Sequence, residues 1–289
     1  MKRALILSGG GARGAFQVGV CQYLKECNWE PDLICGTSVG SINAVALGSG
    51  MPLEKIAAIW TSHSTRKIFR LRLWRFFWAW LWKKPFQPMA DTAPMRSLIS
   101  RHLDMRALRE CRREVIITAV NMLSSRLRLF HRQEIEVEHV MASCAMPGLF
   151  PWQMIDGEPY WDGGMMANTP LFPAMERGAD EIVVVLLSPA GHTPVPLPHN
   201  PAAVAELALE HFLGASYQRT CTHREPASSG CPEPAGPRIA VVAPSRMLGL
   251  FSLIHFSRRQ AHRLIREGYQ NARSQLETFM PSISRKNQP

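Results

Sequence analysis

The chain has 289 residues, of which 46% are hydrophobic, and its formal net charge is +10 at pH 7. This length suits one large α/β domain with appendages, and it excludes a small protein that needs disulfides or metals to fold. The seven cysteines contain no C-x-x-C pair, so we predict no zinc site and no disulfide framework, and we expect reduced thiols in the cytoplasm.

The first predicted element is a buried strand over residues 3–7, followed by a glycine-rich turn and a helix over residues 15–27. The turn reads Ser8-Gly9-Gly10-Gly11-Ala12-Arg13-Gly14. Glycines between a strand and a helix expose backbone N–H groups, which bind a phosphate or the oxyanion of an acyl-transfer intermediate. The same spacing satisfies the dinucleotide-binding fingerprint. That fingerprint requires an acidic residue at the carboxyl end of the second strand, where this chain has a serine turn instead.

The second predicted strand, residues 32–35, leads into Gly36-Thr37-Ser38-Val39-Gly40 and then into a helix of small residues, 41–47. This is the G-x-S-x-G nucleophile elbow in the strand–turn–helix context that it needs. The turn is too tight for a side chain at either glycine, and its strain exposes one serine hydroxyl above the sheet. The pattern therefore predicts Ser38 as a nucleophile.

Residues 66–84 combine basic and aromatic side chains without a single acid. A helix over this segment would place Trp74, Phe77, Trp78 and Leu81 on one face. The segment is too short to cross a bilayer and too apolar for a solvated helix, so it suits the headgroup region of an anionic membrane. A lid over the core and a dimer contact are the alternatives. The positive net charge favours an anionic membrane surface, and we do not expect nucleic acid as a partner.

The remaining elements alternate between helices and apolar strands. We predict helices at residues 53–63, 94–102, 105–111, 136–145, 202–217 and 257–279, and strands at residues 114–120, 126–131, 181–187 and 238–242. Residues 222–237, rich in Pro, Gly and Ser, are expected to form a flexible loop. We predict a catalytic domain at residues 1–190 and a helical extension at residues 191–289, packed on the same domain.

Asp162-Gly163-Gly164 is an ordinary turn signal when it stands alone. It gains meaning because it follows the glycine-rich turn and the serine elbow. Four blocks in this order resemble the patatin-like phospholipase family: G-G-G-x-R-G at residues 9–14, G-T-S-x-G at residues 36–40, A-S-x-A-x-P at residues 142–147, and D-G-G-x-x-x-N-x-P at residues 162–170. The likeness covers residues 5–187 and says little about the last hundred.

The resemblance implies a three-layer α/β/α fold with a mainly parallel central sheet. It also implies a lipid acyl hydrolase of phospholipase A or lysophospholipase type, with a phospholipid or other acyl-ester lipid as substrate and neither metal nor cofactor. In such a site Ser38 is the nucleophile and Asp162 the general base. The oxyanion hole falls on the backbone of Gly9, Gly10 and Gly11, and the supporting residues are Arg13, Gly14, Gly36, Gly40, Gly163 and Gly164.

Several alternatives remain open from the sequence. Arg13 either closes the loop electrostatically or meets lipid phosphate, or else it makes a structural pair with a nearby carboxylate or carbonyl. An α/β-hydrolase triad would need a histidine after Asp162, and six are available: His192, His199, His211, His223, His255 and His262. A regulatory protein with weak turnover would keep the same fold. We expect the protein in the cytoplasm, peripheral at the inner face of the membrane.

Overall fold

The computed structural model describes residues 1–82, 87–189, 197–222 and 236–280. Within these residues the strands are β1 (Arg3–Leu7), β2 (Leu33–Thr37), β3 (Arg70–Leu71), β4 (Ala90–Asp91), β5 (Glu114–Asn121), β6 (Arg126–His131), β7 (Gln153–Ile155), β8 (Glu158–Asp162), β9 (Glu181–Val185) and β10 (Arg238–Val242).

Twelve α-helices lie in the same described ranges. They are α1 (Ala15–Glu26), α2 (Val39–Gly48), α3 (Leu53–Ser62), α4 (Thr65–Ile68), α5 (Leu73–Leu81), α6 (Ala93–His102), α7 (Met105–Glu110), α8 (Val137–Ser143), α9 (Gly164–Ala167), α10 (Phe172–Glu176), α11 (Pro201–Thr222) and α12 (Arg258–Gln275). Two 3₁₀ helices, Gly11–Gly14 and Leu250–Leu253, complete the set. None of the helices described here combines the length and apolar character that crossing a bilayer requires.

The central sheet has the strand order β10-β9-β1-β2-β5-β8-β7, and β6 also pairs with β5. The pairings from β10 to β5 are all parallel, whereas β6 and β8 run antiparallel to β5. The short strands β3 and β4 form a separate two-stranded ribbon. The expected α/β fold with a mainly parallel central sheet is therefore confirmed.

Both faces of the sheet are buried, which explains why its strands are apolar without alternation. On β1, Leu5 and Leu7 belong to a core with α1, α2 and α12, whereas Ala4 and Ile6 belong to a second core with α10. Each fully buried Leu or Ile contributes about 1.5–3 kcal/mol. Two separate apolar cores on one sheet give the three layers.

Helix α12 packs on α1 through two glycines. A Cβ on Gly19 would overlap the carbonyl oxygen of Ile265, and a Cβ on Gly268 would overlap that of Phe16. The helix begins at a Ser257 cap, whose side chain accepts a hydrogen bond from the N–H of Gln260. Its buried positions are three or four residues apart, and all five of its arginines are exposed, as its amphipathic pattern predicts.

The hairpin of β7 and β8 is the main feature that the sequence pattern does not predict. Its strands are short, and Pro159 lies inside β8, which weakens the strand signal. Most of the loop predicted at residues 222–237 lies outside the described residues. The aromatic segment divides into α4, β3 and α5, so the predicted helical face is carried by residues 73–81.

Candidate active site

The serine elbow has the strained backbone that its sequence demands. Ser38 lies between β2 and α2 with φ 54° and ψ −126°, a region that costs a non-glycine residue about 1–3 kcal/mol. A Cβ on Gly36 would overlap the carbonyl oxygen of Gly40, and a Cβ on Gly40 would overlap that of Leu7. Both flanking glycines are therefore required by close backbone approach, and the Ser38 side chain stands above the carboxyl edge of the sheet.

Strand pairing brings Asp162 beside this serine. On β5, Thr118 pairs with Thr37, and the next residue, Ala119, pairs with Asp162. Because β6 occupies one edge of β5 over residues 116–121, β2 and β8 must share the other edge, one after the other. Along this edge of β5, Asp162 therefore lies immediately beyond the point where β2 ends at the elbow.

Asp162 is only 5% exposed. Burial raises its pKa from 3.8 to about 6, while hydrogen bonds from the Ser38 side chain and from the Gly164 N–H lower the pKa. The Gly164 N–H lies 2.8 Å from Oδ1. A Cβ on Gly163 would overlap the side chain of Thr118, so the two glycines allow the aspartate to reach the serine. The carboxyl therefore keeps its proton to a higher pH than an ordinary aspartate does.

The A-S-x-A block holds both residues of this pair by backbone hydrogen bonds. The Ser143 hydroxyl accepts a hydrogen bond from the N–H of Ser38 at 3.0 Å. Two residues later, the carbonyl of Ala145 accepts one from the N–H of Asp162, also at 3.0 Å. The sequence alone assigns this block no role. Its position between β6 and β7 gives no local signal of the distant backbone that it contacts.

The glycine-rich turn lies against the serine. The N–H of Gly9 donates to the carbonyl of Asn168 at 3.0 Å, so this expected oxyanion donor is already engaged. In the described chain the N–H groups of Gly10 and Gly11 have no such acceptor. Gly11 has φ 55°, and a Cβ there would overlap the carbonyl oxygen of Leu253. Gly9 instead provides close approach, because a Cβ on it would lie 3.1 Å from the Ser38 Cβ.

Gly14 and Arg13 serve packing. A Cβ on Gly14 would lie 2.5 Å from Val39 and 2.8 Å from Trp60. Arg13 is fully buried, and its Nη2 lies 2.7 Å from the Glu210 carboxylate on α11. Its guanidinium also donates three hydrogen bonds of 2.7–3.1 Å, to the Ser252 hydroxyl and to the carbonyls of Leu187 and Gly249. Of the alternatives for Arg13, the structural pair is the one observed.

Glu210 is a site-supporting residue that the sequence does not reveal, because nothing in the α11 pattern singles it out. Replacing it with alanine would leave the Arg13 charge buried without a carboxylate, which typically costs about 3–5 kcal/mol. We therefore expect Glu210→Ala to lower the free energy of unfolding by that amount in urea denaturation. Glu206→Ala, one turn earlier on α11, is the control and should cost less than about 1 kcal/mol. Equal losses in the two variants would contradict this reading.

An apolar cavity of about 120 Å³ opens beside the elbow. It is bounded by Ser38 and Gly11 and extends along α2, α3 and α6, where its walls include Ile42, Ala46 and Ile99. No Asp, Glu, Lys or Arg contributes to the lining described for it. The space next to the serine hydroxyl is therefore apolar.

None of the described histidines that follow Asp162 lies at this site. The downstream residues His199, His211, His255 and His262 are all exposed, and His192 and His223 lie outside the described residues. His63 and His102 line the cavity, yet no histidine is among the causes that shift the pKa of Asp162. In the described part of the chain, no three His, Cys, Asp or Glu side chains come together as a metal site.

A family model described as patatin-like phospholipase matches residues 5–175. The chain belongs to the patatin-like phospholipase family. The matched region contains Ser38, Asp162 and the glycine-rich turn, whereas Glu210 and Leu253 of this patatin-like chain lie beyond it.

Curated relatives of this patatin-like chain carry phospholipase names. A cGAMP-activated phospholipase of Pseudomonas aeruginosa is 30% identical over 183 residues, which cover 57% of this chain and 53% of that protein. A lysophospholipase NTE1 of Cryptococcus neoformans is 29% identical over 194 residues, covering 63% and 11% respectively. The chain thus spans about half, or much less, of the length of these relatives.

Solved structures share the fold at low sequence identity. VipD from Legionella pneumophila superimposes with a TM-score of 0.51 at 14% identity, covering 96% of this chain and 67% of that one. Human GIVD cytosolic phospholipase A2 gives a TM-score of 0.50 at 12% identity, covering 96% and 58%. At these identities the likeness concerns the fold alone.

Proposed function

We propose that this patatin-like protein hydrolyses acyl esters of lipids, of phospholipase A or lysophospholipase type, with Ser38 as nucleophile and Asp162 as general base. One observation carries the proposal. A strained, glycine-flanked serine lies beside a buried carboxyl whose pKa is raised to about 6, at the edge of an apolar cavity. Buried titratable groups with shifted pKa values are typical of catalytic sites.

The reaction begins with attack of the Ser38 hydroxyl on the ester carbonyl carbon. Asp162 accepts the hydroxyl proton as the new C–O bond forms, because a carboxylate is too weak a base to remove it beforehand. The carbonyl oxygen becomes an oxyanion, which the N–H groups of Gly10 and Gly11 stabilise. The tetrahedral intermediate then breaks its bond to the leaving alcohol, which takes the proton from Asp162.

The same groups then hydrolyse the resulting acyl-serine, with water in place of the serine hydroxyl as the attacking group. Asp162 accepts a proton from a water molecule that attacks the acyl carbonyl, and it returns this proton to the Ser38 oxygen as the fatty acid leaves. Another lipid alcohol in place of water would make the reaction a transacylation. The apolar lining beside Ser38 supports a fatty acyl group, rather than a polar one, on the serine.

Covalent labelling tests the nucleophile. An alkyl fluorophosphonate transfers its phosphonyl group to an activated serine, with loss of fluoride. We expect one adduct per chain, mapped to Ser38 by peptide mass spectrometry, together with release of fatty acid from phospholipid. Labelling at another serine, or labelling without fatty acid release from any phospholipid, lysophospholipid or soluble acyl ester, would reject the proposal in favour of a regulatory protein with this fold.

A further inference from the structure

One surface of the molecule exposes an unusual set of large apolar side chains. On α5 and directly after it, Trp74, Phe77, Leu81 and Trp82 have between 50% and 69% of their surface in contact with solvent. Trp78 lies between them, with its ring 5.1 Å from that of Trp74 and 5.9 Å from that of Trp82. Contiguous exposed apolar groups of this kind mark an interaction surface rather than ordinary solvated structure.

A second segment from the far end of the chain lies beside the first. The N–H of Thr65 donates to the carbonyl of Phe256 at 3.0 Å, and the N–H of Phe256 donates back to the Thr65 hydroxyl at 2.9 Å. The Phe256 ring also contacts the Phe69 ring, at 6.3 Å between centroids. Phe251, in the 3₁₀ helix just before, is 75% exposed. Residues 64–82 and 250–259 therefore adjoin on one face of the molecule.

The charged side chains of the two segments are all basic, and Asp91 of the neighbouring strand β4 ion-pairs with Arg72. No Asp or Glu occurs between residues 55 and 90 or between residues 234 and 266. Five exposed cations lie on the two segments: Arg66, Lys67, Arg70, Arg258 and Arg259. None of the five forms an ion pair with a carboxylate in the described part of the chain. Exposed aromatic groups among unpaired cations complement an anionic lipid surface, whose headgroups attract each cation by about 1 kcal/mol.

The same two segments form walls of the cavity beside Ser38. Ile68 and Phe69 come from the first, and Leu253, Ile254 and Phe256 come from the second. A second copy of the chain, with the same positive charge on its face, would be repelled, whereas an anionic bilayer would be attracted. A bilayer also holds acyl chains for which the apolar cavity is suited.

We infer that residues 64–82 and 250–259 together form a face that docks on anionic membranes, with Phe251 and the pair Arg258 and Arg259 as anchors alongside α5. The inference rests on the proposed function for its purpose, since docking brings lipid esters to the cavity. It extends the predicted membrane contact from one aromatic helix to a two-segment surface, and it assigns a role to part of the basic helix α12.

Vesicle co-sedimentation tests this docking face. All variants are made in a Ser38→Ala background, so that the lipid stays intact and binding is measured without turnover. We expect the parent to bind vesicles of phosphatidylcholine with phosphatidylglycerol at least about tenfold more strongly than vesicles of phosphatidylcholine alone, with the difference lost at high salt. Phe251→Ser, and separately Arg258→Gln with Arg259→Gln, should each weaken binding to the anionic vesicles by about tenfold.

Two control variants test whether the loss of any exposed apolar side chain, or of any two exposed cations, weakens binding equally. Leu123→Ser removes a side chain that is also 75% exposed, at the β5–β6 turn, and should leave binding within about twofold. Lys25→Gln with Arg106→Gln removes two exposed cations at the opposite, amino-terminal edge of the sheet, and should do the same. Equal losses in the controls, or a Phe251→Ser variant that binds normally, would overturn the inference.

The outcomes also distinguish docking from catalysis. Hydrolysis of a dispersed short-chain ester by the wild-type protein, without binding to either vesicle, would overturn the docking face and leave the proposed function standing. Vesicle binding without hydrolysis of any ester would overturn the proposed function and leave the docking face standing. A dimer that Phe251→Ser converts to a monomer, with no vesicle binding, would identify the face as a contact between copies and overturn the inference.

Discussion

Replacing Ser38 with alanine is expected to lower kcat/KM for acyl-ester hydrolysis by about 10⁴-fold or more. The variant keeps the Gly10 and Gly11 N–H groups, the cavity and Asp162, but it has no group to form the acyl intermediate. Initial rates on a phospholipid and on a soluble acyl ester, measured side by side, provide the test.

A loss of this size separates catalysis by Ser38 from the alternative of a regulatory protein with weak turnover. Ser41→Ala is a suitable control, because Ser41 lies one turn further along α2, where its hydroxyl donates to the Ser38 carbonyl at 2.6 Å and lies 3.9 Å from the Cys144 sulfur. We expect its activity to fall less than about tenfold, with a thermal unfolding midpoint close to that of the wild type. Comparable rates for Ser38→Ala and wild type would show that another nucleophile is responsible.

Replacing Asp162 with asparagine is expected to lower kcat by about 10³-fold, because the amide cannot accept the serine proton. The wild-type enzyme should show the complementary pH dependence. The base works only when it is ionised, so kcat/KM should rise with pH and level off above a pKa of about 6. A pH–rate profile between about pH 4.5 and 9 measures this rise in kcat/KM. The residual activity of Asp162→Asn should not show the rise.

The same carboxyl should lower stability at neutral pH, which gives the variant an independent readout. Its pKa in the folded protein, about 6, lies above its ordinary value of 3.8. Between these pH values the folded state retains a proton that the unfolded state has lost, so stability falls as pH rises through this window. Asp162→Asn removes that cost and should raise the free energy of unfolding by about 1–3 kcal/mol at pH 8.

The two readouts of Asp162→Asn have opposite signs, so misfolding cannot imitate the expected result. A protein that loses activity because it is unfolded also loses its thermal transition. A variant that is inactive and more stable at pH 8, but no more stable at about pH 4, would identify the carboxyl as a base held at an energetic cost. A variant that is less stable at both pH values would instead assign Asp162 a structural role.

Much of the fold could be predicted from residue patterns. The strands over residues 114–120, 126–131 and 238–242 are observed within a residue of their expected ends. Runs of Val and Ile favour the first and third, and alternation of basic and apolar residues favours the second. The helix expected at residues 202–217 extends to residues 201–222. The β7–β8 hairpin was not predicted, although it delivers Asp162 to the serine. Short strands that contain proline owe their pairing to neighbours in space rather than to their own composition.

What the amino-acid sequence by itself determined is the local chemistry of the chain. Gly36, Ser38 and Gly40 specify the elbow, because steric contacts between neighbouring backbone atoms decide which side chains such a turn permits. The tertiary structure alone decided which distant groups meet: Asp162 beside Ser38, Glu210 against Arg13, and Phe256 against Thr65 and Phe69. Those contacts depend on strand register and helix packing across more than a hundred residues, and no local pattern encodes them.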